Sequence, residues 1–470
     1  MTSRSSISPY AKALPALCFL ALCFSSLYGW MVNASLFAET ALFAPFTRDA
    51  SMLLSAALFV ILAIAANRRP DFLDNRLMSL VSLGCLASSA IVIPLAFQVQ
   101  SPAFTFAGLA LFTVGGIWPQ ATMLVAIASL PAHQKRAVIV AGAVLAGAVI
   151  RSIADPPPFM PSLALLVIGQ AATLLLLHRA TSPAFNRIAR GAPASDLLIA
   201  DPDAFLKPTH ALFPCILLFC IGSSYGSIFY EGADSTYFWF CVTVLAIAFL
   251  WIAFGTSRLR EDMLFSASVL LVLAGFMMVP FSAQLSYPLP GALLASGGIC
   301  FNILFWLVLA AIGARNVYAL IPTFALASCM NYLGVEIGAT AGHISAAAIG
   351  DQTAGAIALV AGFVFVSFLW LFFRRFSFSD TIQGVEIMKP IVVKTSESVQ
   401  EIACKQLAEQ RGLTDRELEI FTMMAKGRNT KFIQEQLVIS PNTVRSHIKH
   451  IYQKLDVHSQ QELIDLVEAQ

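Results

Sequence analysis

Apolar residues fall along the first four-fifths of the chain in long blocks with none of the alternation of a half-buried strand, and each block ends at Pro, Gly or charge. A helix needs about 20 apolar residues to cross a hydrocarbon core. Twelve blocks come near that length, at roughly 13–37, 50–66, 77–97, 103–130, 137–154, 159–178, 211–230, 236–256, 263–283, 290–312, 316–339 and 353–373. The first follows Arg4 and Lys12 as a signal-peptide core would. It runs for about 25 residues with eleven more blocks behind it, so it reads as an anchor that stays. Past residue 375 the pattern changes. Residues 376–406 are polar without a sustained amphipathic period and read as a linker, and from Leu413 apolar positions recur at helical spacing in short stretches.

Those stretches carry start and stop signals for four helices. Thr414-Asp415-Arg416-Glu417 is a capping box that opens a helix over about 414–425, and Gly427 suits the position after its end. Asn429 or Thr430 caps a second helix to Leu437. Ser440 before Pro441 is an N-cap with Pro at the first helical position, and it opens a third helix to about Leu455. Ser459-Gln460-Gln461-Glu462 is another capping box, opening a last helix that reaches Glu468. Helix, turn and longer helix in that order make a helix-turn-helix.

The third helix has two unlike faces. At 100° per residue, Val444, Ile448, Ile451 and Leu455 fall within about 60° and form the stripe to be buried. The opposite face presents Asn442, Arg445, Ser446, Lys449 and Gln453, with Thr443, His447 and Lys454 on one flank. Arg and Lys donate to guanine edges and Asn, Ser and Gln read or bridge other bases, so that face fits a major groove. The flank is placed for phosphates, as are Lys431 and the N–H groups near Thr430 on the second helix. Basic helix faces are commonly plain solvated surface. Caps and periodicity establish a helical domain without establishing DNA.

The residue pattern adds to this. Leu413-Thr414-Asp415-Arg416-Glu417, Gly427, Ile433, the run Ile439-Ser440-Pro441-Asn442-Thr443-Val444-Arg445-Ser446-His447-Ile448, Ile451 and Lys454-Leu455-Asp456-Val457 resemble the C-terminal DNA-binding domain of LuxR-family bacterial transcription regulators over roughly 411–468. The resemblance implies that the third helix enters the major groove and the fourth supports homodimers on double-stranded DNA. It implies base contacts at Arg445, Ser446 and Lys449, with Thr443 and His447 near the backbone. This chain departs from the family at Gln434, where Ala is common, at Asp456, where Gly is common, and at Gln460, where Arg is common.

Composition sharpens the division of the chain. It is 58% hydrophobic and 12% charged over 470 residues. Residues 1–375 hold 18 Lys/Arg and 14 Asp/Glu, and the last 95 hold 11 and 13, so the tail has the charge density of a soluble domain. With the N-terminus inside, sixteen of the eighteen basic residues of the first block, among them Arg68, Arg69, Lys135, Arg136, Arg179 and Arg374, lie on the inner side. Arg48 lies outside and Arg151 inside a span. The expected arrangement is a multi-pass protein of the cytoplasmic membrane, in contact with membrane lipid, with both termini cytoplasmic.

The loop from His178 to Lys207 separates six blocks from six. This layout resembles the major facilitator superfamily, although Asn67–Arg76, between the second and third blocks, lacks the glycines of that superfamily's loop signature. The expected fold is all-α: a twelve-span helical bundle (6+6) over residues 1–375, a linker over 376–406 and a four-helix LuxR-type helix-turn-helix domain over 407–470. The whole layout resembles a group of membrane-bound LuxR-type regulators.

Ionisable residues within spans mark candidate function. Arg151, Asp155, Glu336 and Glu39 would line an outward-facing polar pocket for an unidentified small molecule, with Arg151 facing a carboxylate or phosphate, or paired with Asp155 or Glu336. Snorkelling to the outer interface is the plain alternative. Trp118, in the Gly115-Gly116-Ile117-Trp118-Pro119-Gln120 stretch with an expected kink at Pro119, would either meet that ligand or pack in the core. Eight cysteines lie in apolar blocks and Cys404 in the linker, with no C-x-x-C pair. No metal site, cofactor motif or enzyme constellation is present in the sequence. The expected function is a membrane-tethered transcriptional regulator controlled by a small-molecule or membrane signal; the alternative is a secondary transporter with a regulatory tail.

Overall fold

The structure is a computed structural model. It describes residues 9–190, 206–227, 237–255, 260–284, 288–348, 351–374, 376–385, 399–427, 430–437 and 439–468. The chain divides into two compact units, Met1–Met388 and Lys389–Gln470.

Within the first unit the described helices are α1 (Pro9–Met31), α2 (Thr47–Arg68), α3 (Asn75–Val99), α4 (Pro102–Ala128), α5 (His133–Ile153) and α6 (Phe159–Arg190), followed by α7 (Leu212–Ser227), α8 (Phe238–Phe254), α9 (Arg260–Met278), α10 (Leu289–Arg315), α11 (Val317–Ala348) and α12 (Asp351–Phe373). A short α13 (Phe378–Gly384) ends it. Among the described residues nine helices are long and apolar enough to cross a membrane, and shorter apolar helices lie at Leu212–Gly226, Phe238–Phe254 and Ala356–Leu369. Side chains such as Ile61, Ile91, Phe254 and Phe363 stand well exposed on the outside of this unit. A water-soluble surface of that kind would be unstable, and a lipid-facing one is ordinary. The first unit is a multi-pass membrane block.

The two most buried helices are α4 and α10, which pack against each other and carry the core residues Leu124, Ile127, Ile303 and Leu304. Around them α3 packs on α4, α9 on α10, α11 on both α2 and α7, and α5 on both α1 and α8. Close approach is built with glycine at Gly115, where an added Cβ would sit 2.7 Å from Leu86 of α3. Helix α4 runs unbroken through Pro119.

Two stretches read as connections are helical. The expected loop beginning at His178 is a continuation of α6, because Leu177, Thr181, Phe185 and Ile188 extend its buried stripe at three- and four-residue steps; residues 191–205 lie outside the described part. The expected linker contains α13 and a further helix, α14 (Val399–Arg411). Asp262 at the start of α9 accepts hydrogen bonds from the Ser377 hydroxyl (3.0 Å) and the Phe378 backbone N–H (2.6 Å), while Arg315 donates to the carbonyls of Gln383 (3.0 Å) and Val385 (2.6 Å). Phe378 and Ile382 are buried beneath these bonds. Residues 376–385 are thus strapped to the membrane block.

The second unit comprises α14, α15 (Asp415–Ala425), α16 (Thr430–Leu437), α17 (Pro441–Leu455) and α18 (Gln460–Glu468). It has five described helices where four were expected, since α14 closes the core by burying Cys404 and Leu407. Ile420, Phe421, Ile433, Val444, Ile451, Leu455 and Leu463 form the rest. Helix α14 ends at Gly412 and α15 at Gly427, both left-handed at φ +63° and +72°, conformations that cost a residue with a Cβ.

Candidate functional site

The helix-turn-helix is α16, a turn and α17. Its N-terminal signals form as physical caps: the Ser440 hydroxyl accepts from the Thr443 N–H (3.2 Å), with Pro441 in the first turn of α17. The Thr414–Glu417 capping box closes at the start of α15, where Glu417 accepts the Thr414 N–H at 2.8 Å. At α18 the expected box is displaced by one residue, because Ser459 caps the Glu462 N–H while Glu462 reaches back to the His458 N–H (2.8 Å). The Asn429 alternative for capping α16 lies outside the described residues.

On α17, Val444, Ile451 and Leu455 are buried and Ile448 is packed beside them. Asn442, Thr443, Arg445, Ser446, Lys449 and Gln453 are exposed, and His447 is half-buried. Arg445, Lys449 and Gln453 line one shallow groove with Thr430 of α16. No acidic residue occurs between Pro441 and Leu455. The face is therefore cationic, accessible and carried on a rigid helix. The sequence reading missed His450, which is exposed on the flank shared by Thr443 and Lys454; its angular position alone could have found it. The backbone of Lys431 sits in α16.

Lys454 corrects one expectation. Its Nζ bonds Glu417 Oε2 at 2.7 Å and the Gly412 carbonyl at 2.8 Å, tying α17 to α15 and to the end of α14. Its ammonium is committed inside the domain rather than offered to a phosphate. Burial alone would raise the Glu417 carboxyl, but the Lys454 ammonium and the Thr414 N–H and hydroxyl outweigh it and hold the group at about 2. Gln460, standing where Arg is common, donates to the Met424 carbonyl at 3.0 Å and so joins α18 to α15.

The residues expected to share a membrane pocket are not brought together. Arg151 lines an internal cavity of about 420 Å³. Asp155 and Glu39 are exposed, and neither lines it. Glu336 is buried elsewhere, accepting from the Thr340 hydroxyl at 3.3 Å, with Arg48, Asp49 and His343 as its ionisable neighbours. No ion pair joins Arg151 to Asp155 or Glu336, because Asp155 lies beyond the end of α5 and Glu336 faces α2 from α11. Trp118 is buried away from the cavity, where it donates to Asn75 (3.0 Å) and packs against Phe185 at 4.7 Å. It is a core residue. The polar groups that do share the cavity with Arg151 include Gln120, Gln170, Asn302 and Asn331. Hydropathy does not mark them, since neutral amides interrupt an apolar block without ending it.

Among the described residues no cluster of side chains could hold a metal ion, and all nine cysteines are free thiols. Cys404 is buried in the core of the C-terminal unit, where α14 replaces the expected linker.

Comparison with known proteins follows this division. Residues 411–467 match the family described as bacterial regulatory proteins, luxR family, so the C-terminal domain is a LuxR-type helix-turn-helix domain. The chain is 46% identical over 59 residues to the transcriptional activator protein ExaE of Pseudomonas putida, covering 13% of this chain and 28% of that protein. It is 47% identical over 55 residues to the oxygen regulatory protein NreC of Staphylococcus carnosus (12% and 25%) and 35% identical over 77 residues to the response regulator UvrY of Escherichia coli (15% and 35%). The chain thus spans about a quarter to a third of the length of these relatives. Domains of this family bind DNA and commonly act as dimers. Solved structures similar over the membrane block are the MFS (major facilitator superfamily) proton:xylose symporter XylE, at TM-score 0.48 and 13% identity over 80% of this chain and 99% of that one, and the E. coli fucose:proton symporter FucP, at 0.46 and 14% over 78% and 99%.

Proposed function

We propose that the protein is a membrane-tethered transcriptional regulator of the cytoplasmic membrane, with both termini in the cytoplasm, whose C-terminal domain reads a DNA sequence under the control of a signal received by the membrane block. The observation that carries this reading is the exposed face of α17. Arg445, Ser446, Lys449, Asn442 and Gln453 stand exposed on the side opposite the stripe that packs into the core, within a domain of the LuxR type. Arg445 and Lys449 donate to guanine edges, while Asn442, Ser446 and Gln453 read or bridge neighbouring bases. Thr443, His447 and the exposed His450 lie on the flank that faces the phosphate backbone, with Lys431 on α16. Inner-side placement follows from the bias of loop Lys and Arg, and it puts the domain where DNA is. Two domains pair when bound.

Signal control requires a ligand whose affinity differs between two states of the membrane block. The strap over residues 376–385 is the covalent route from that block to the DNA-binding unit, and it is anchored on α9 and α10 by Asp262 and Arg315. A shift of those helices would move the strap.

The test is DNA binding by residues 389–470, which include α14 because Cys404 and Leu407 complete the core. A specific duplex should bind with an affinity that falls steeply with salt, and Arg445→Ala should cost about 1–3 kcal/mol of discrimination at one base position. The combined Arg445→Ala and Lys449→Ala variant should lose specificity altogether. Equal binding of all sequences by both forms would remove the reading.

A further inference from the structure

We infer that the cavity inside the membrane block is a binding site for a small monocarboxylate with a flat apolar body, its charged end held by Arg151. This deepens the regulator reading by naming the class of signal, and it depends on that reading only for what binding does next.

The cavity lies where α1, α2, α4, α5, α6, α8, α10 and α11 meet, and its volume of about 420 Å³ falls within the roughly 300–1,000 Å³ of small-molecule sites. Among the described residues of its wall, Arg151 is the one Asp, Glu, Lys, Arg or His. Among the described residues the Arg151 guanidinium has no ion pair and no hydrogen bond, and its buried Nε has no partner. It lies 3.9 Å over the Phe238 ring, which holds the cation in place without satisfying its donors. A half-buried cation within a membrane block calls for a counter-charge, and the described residues supply none. The guanidinium fork matches a carboxylate in both geometry and charge.

A second, independent feature points the same way. Gln170 is 4% exposed, yet neither its amide oxygen nor its amide nitrogen has a hydrogen-bond partner. The Tyr28 hydroxyl is near it without completing a hydrogen bond. Space for that amide is kept by Gly116, where a Cβ would come within 2.9 Å of Gln170 Oε1. A buried amide left unpaired is costly, so its presence at a cavity wall marks a position where a guest's polar group belongs. Gln120 and Asn302 offer further neutral donors and acceptors, and Phe24, Phe305 and Trp306 supply flat apolar walls.

These features exclude other guests. A cationic ligand would face Arg151 with no carboxylate in the wall to balance it. A neutral sugar would satisfy the amides but leave the guanidinium without a counter-ion. A dianion would bring more charge than one arginine neutralises. One carboxylate on a planar apolar body with a hydrogen-bonding substituent fits the cation, the aromatic walls and the amide together.

The experiment uses the full chain purified in detergent micelles, with 4-hydroxyphenylacetate as the probe and 4-hydroxyphenylacetamide as its neutral counterpart, and reads the thermal unfolding midpoint of the membrane block. We expect the carboxylate to raise the midpoint saturably by a few degrees, since a ligand bound only by the folded state stabilises it. The amide should bind at least tenfold more weakly. Arg151→Gln should abolish the carboxylate shift, Arg151→Lys should keep part of it, and Gln170→Leu should weaken it. Should Arg151→Gln fail to fold, the Arg151→Lys and Gln170→Leu variants carry the comparison. An equal shift with the amide, a carboxylate shift untouched by these substitutions, or no shift with either compound would overturn the assignment. The readout does not involve DNA, so carboxylate binding together with transcription indifferent to Arg151 would keep the site and remove the regulatory reading.

Discussion

Glu417 ties α15 to α17 by accepting from the Thr414 N–H and from Lys454 while remaining buried, and its carboxyl is held at about 2 against an ordinary value near 4.5. A carboxyl depressed in the folded state contributes stability that is fully present above its unfolded value and is lost as pH falls through the folded one. Residues 389–470 should therefore lose stability progressively between about pH 4.5 and pH 2, as denaturant melts at each pH would show. Glu417→Gln should flatten that dependence and cost about 1–2 kcal/mol at pH 7, because the cap and the Lys454 bond are both weakened. Asp456 ends α17 in the left-handed region at φ +59°, so Asp456→Gly should stabilise the domain by about 0.5–1 kcal/mol in the same melts. The Thr414–Glu417 box was legible because its partners are three residues apart. The Lys454–Glu417 pair was not, because it joins positions 37 apart and no local pattern records such a separation. Lys454 was consequently read as a phosphate contact.

Helices were legible wherever hydrophobic length or a cap announced them. Helix α14 was missed because Val399–Arg411 is mostly polar, and its contribution is a narrow stripe through Cys404 and Leu407 that gains meaning only when α15 and α18 cover it. The extension of α6 to Arg190 was missed because charge after residue 178 was taken to end the helix, whereas its buried stripe continues beyond the apolar block. The strap was invisible in sequence, since Asp262 is a plain helix-opening acid until residues 377–379 are brought against it. Asp262→Ala should remove three acceptor bonds at once. Hydrogen exchange over residues 376–385 of the full chain should then quicken by at least tenfold while α10 stays protected; unchanged exchange would show that the strap is held by Phe378 and Ile382 alone.

At the scale of the whole molecule, hydropathy revealed a membrane block and a polar C-terminal domain, because each unit is built from a composition the other could not tolerate. It did not reveal the cavity. That space is assembled from residues on eight helices, and Gln120, Gln170, Asn302 and Asn331 acquire a common address only once those helices are packed. Arg151 was found because an arginine within an apolar block is rare enough to stand alone, whereas Glu336 and Asp155 were equally conspicuous and lie elsewhere. Regulation of transcription from the membrane requires the exposed face of α17 to read DNA while the chain remains in the bilayer. The most direct measurement is genome-wide sequencing of DNA cross-linked to the intact, membrane-fractionated protein, beside the Arg445→Ala and Lys449→Ala double variant. Enriched sites sharing one sequence motif are expected, all lost in a double variant that still resides in the membrane. Background enrichment with the intact chain, or the same sites retained by the variant, would contradict it.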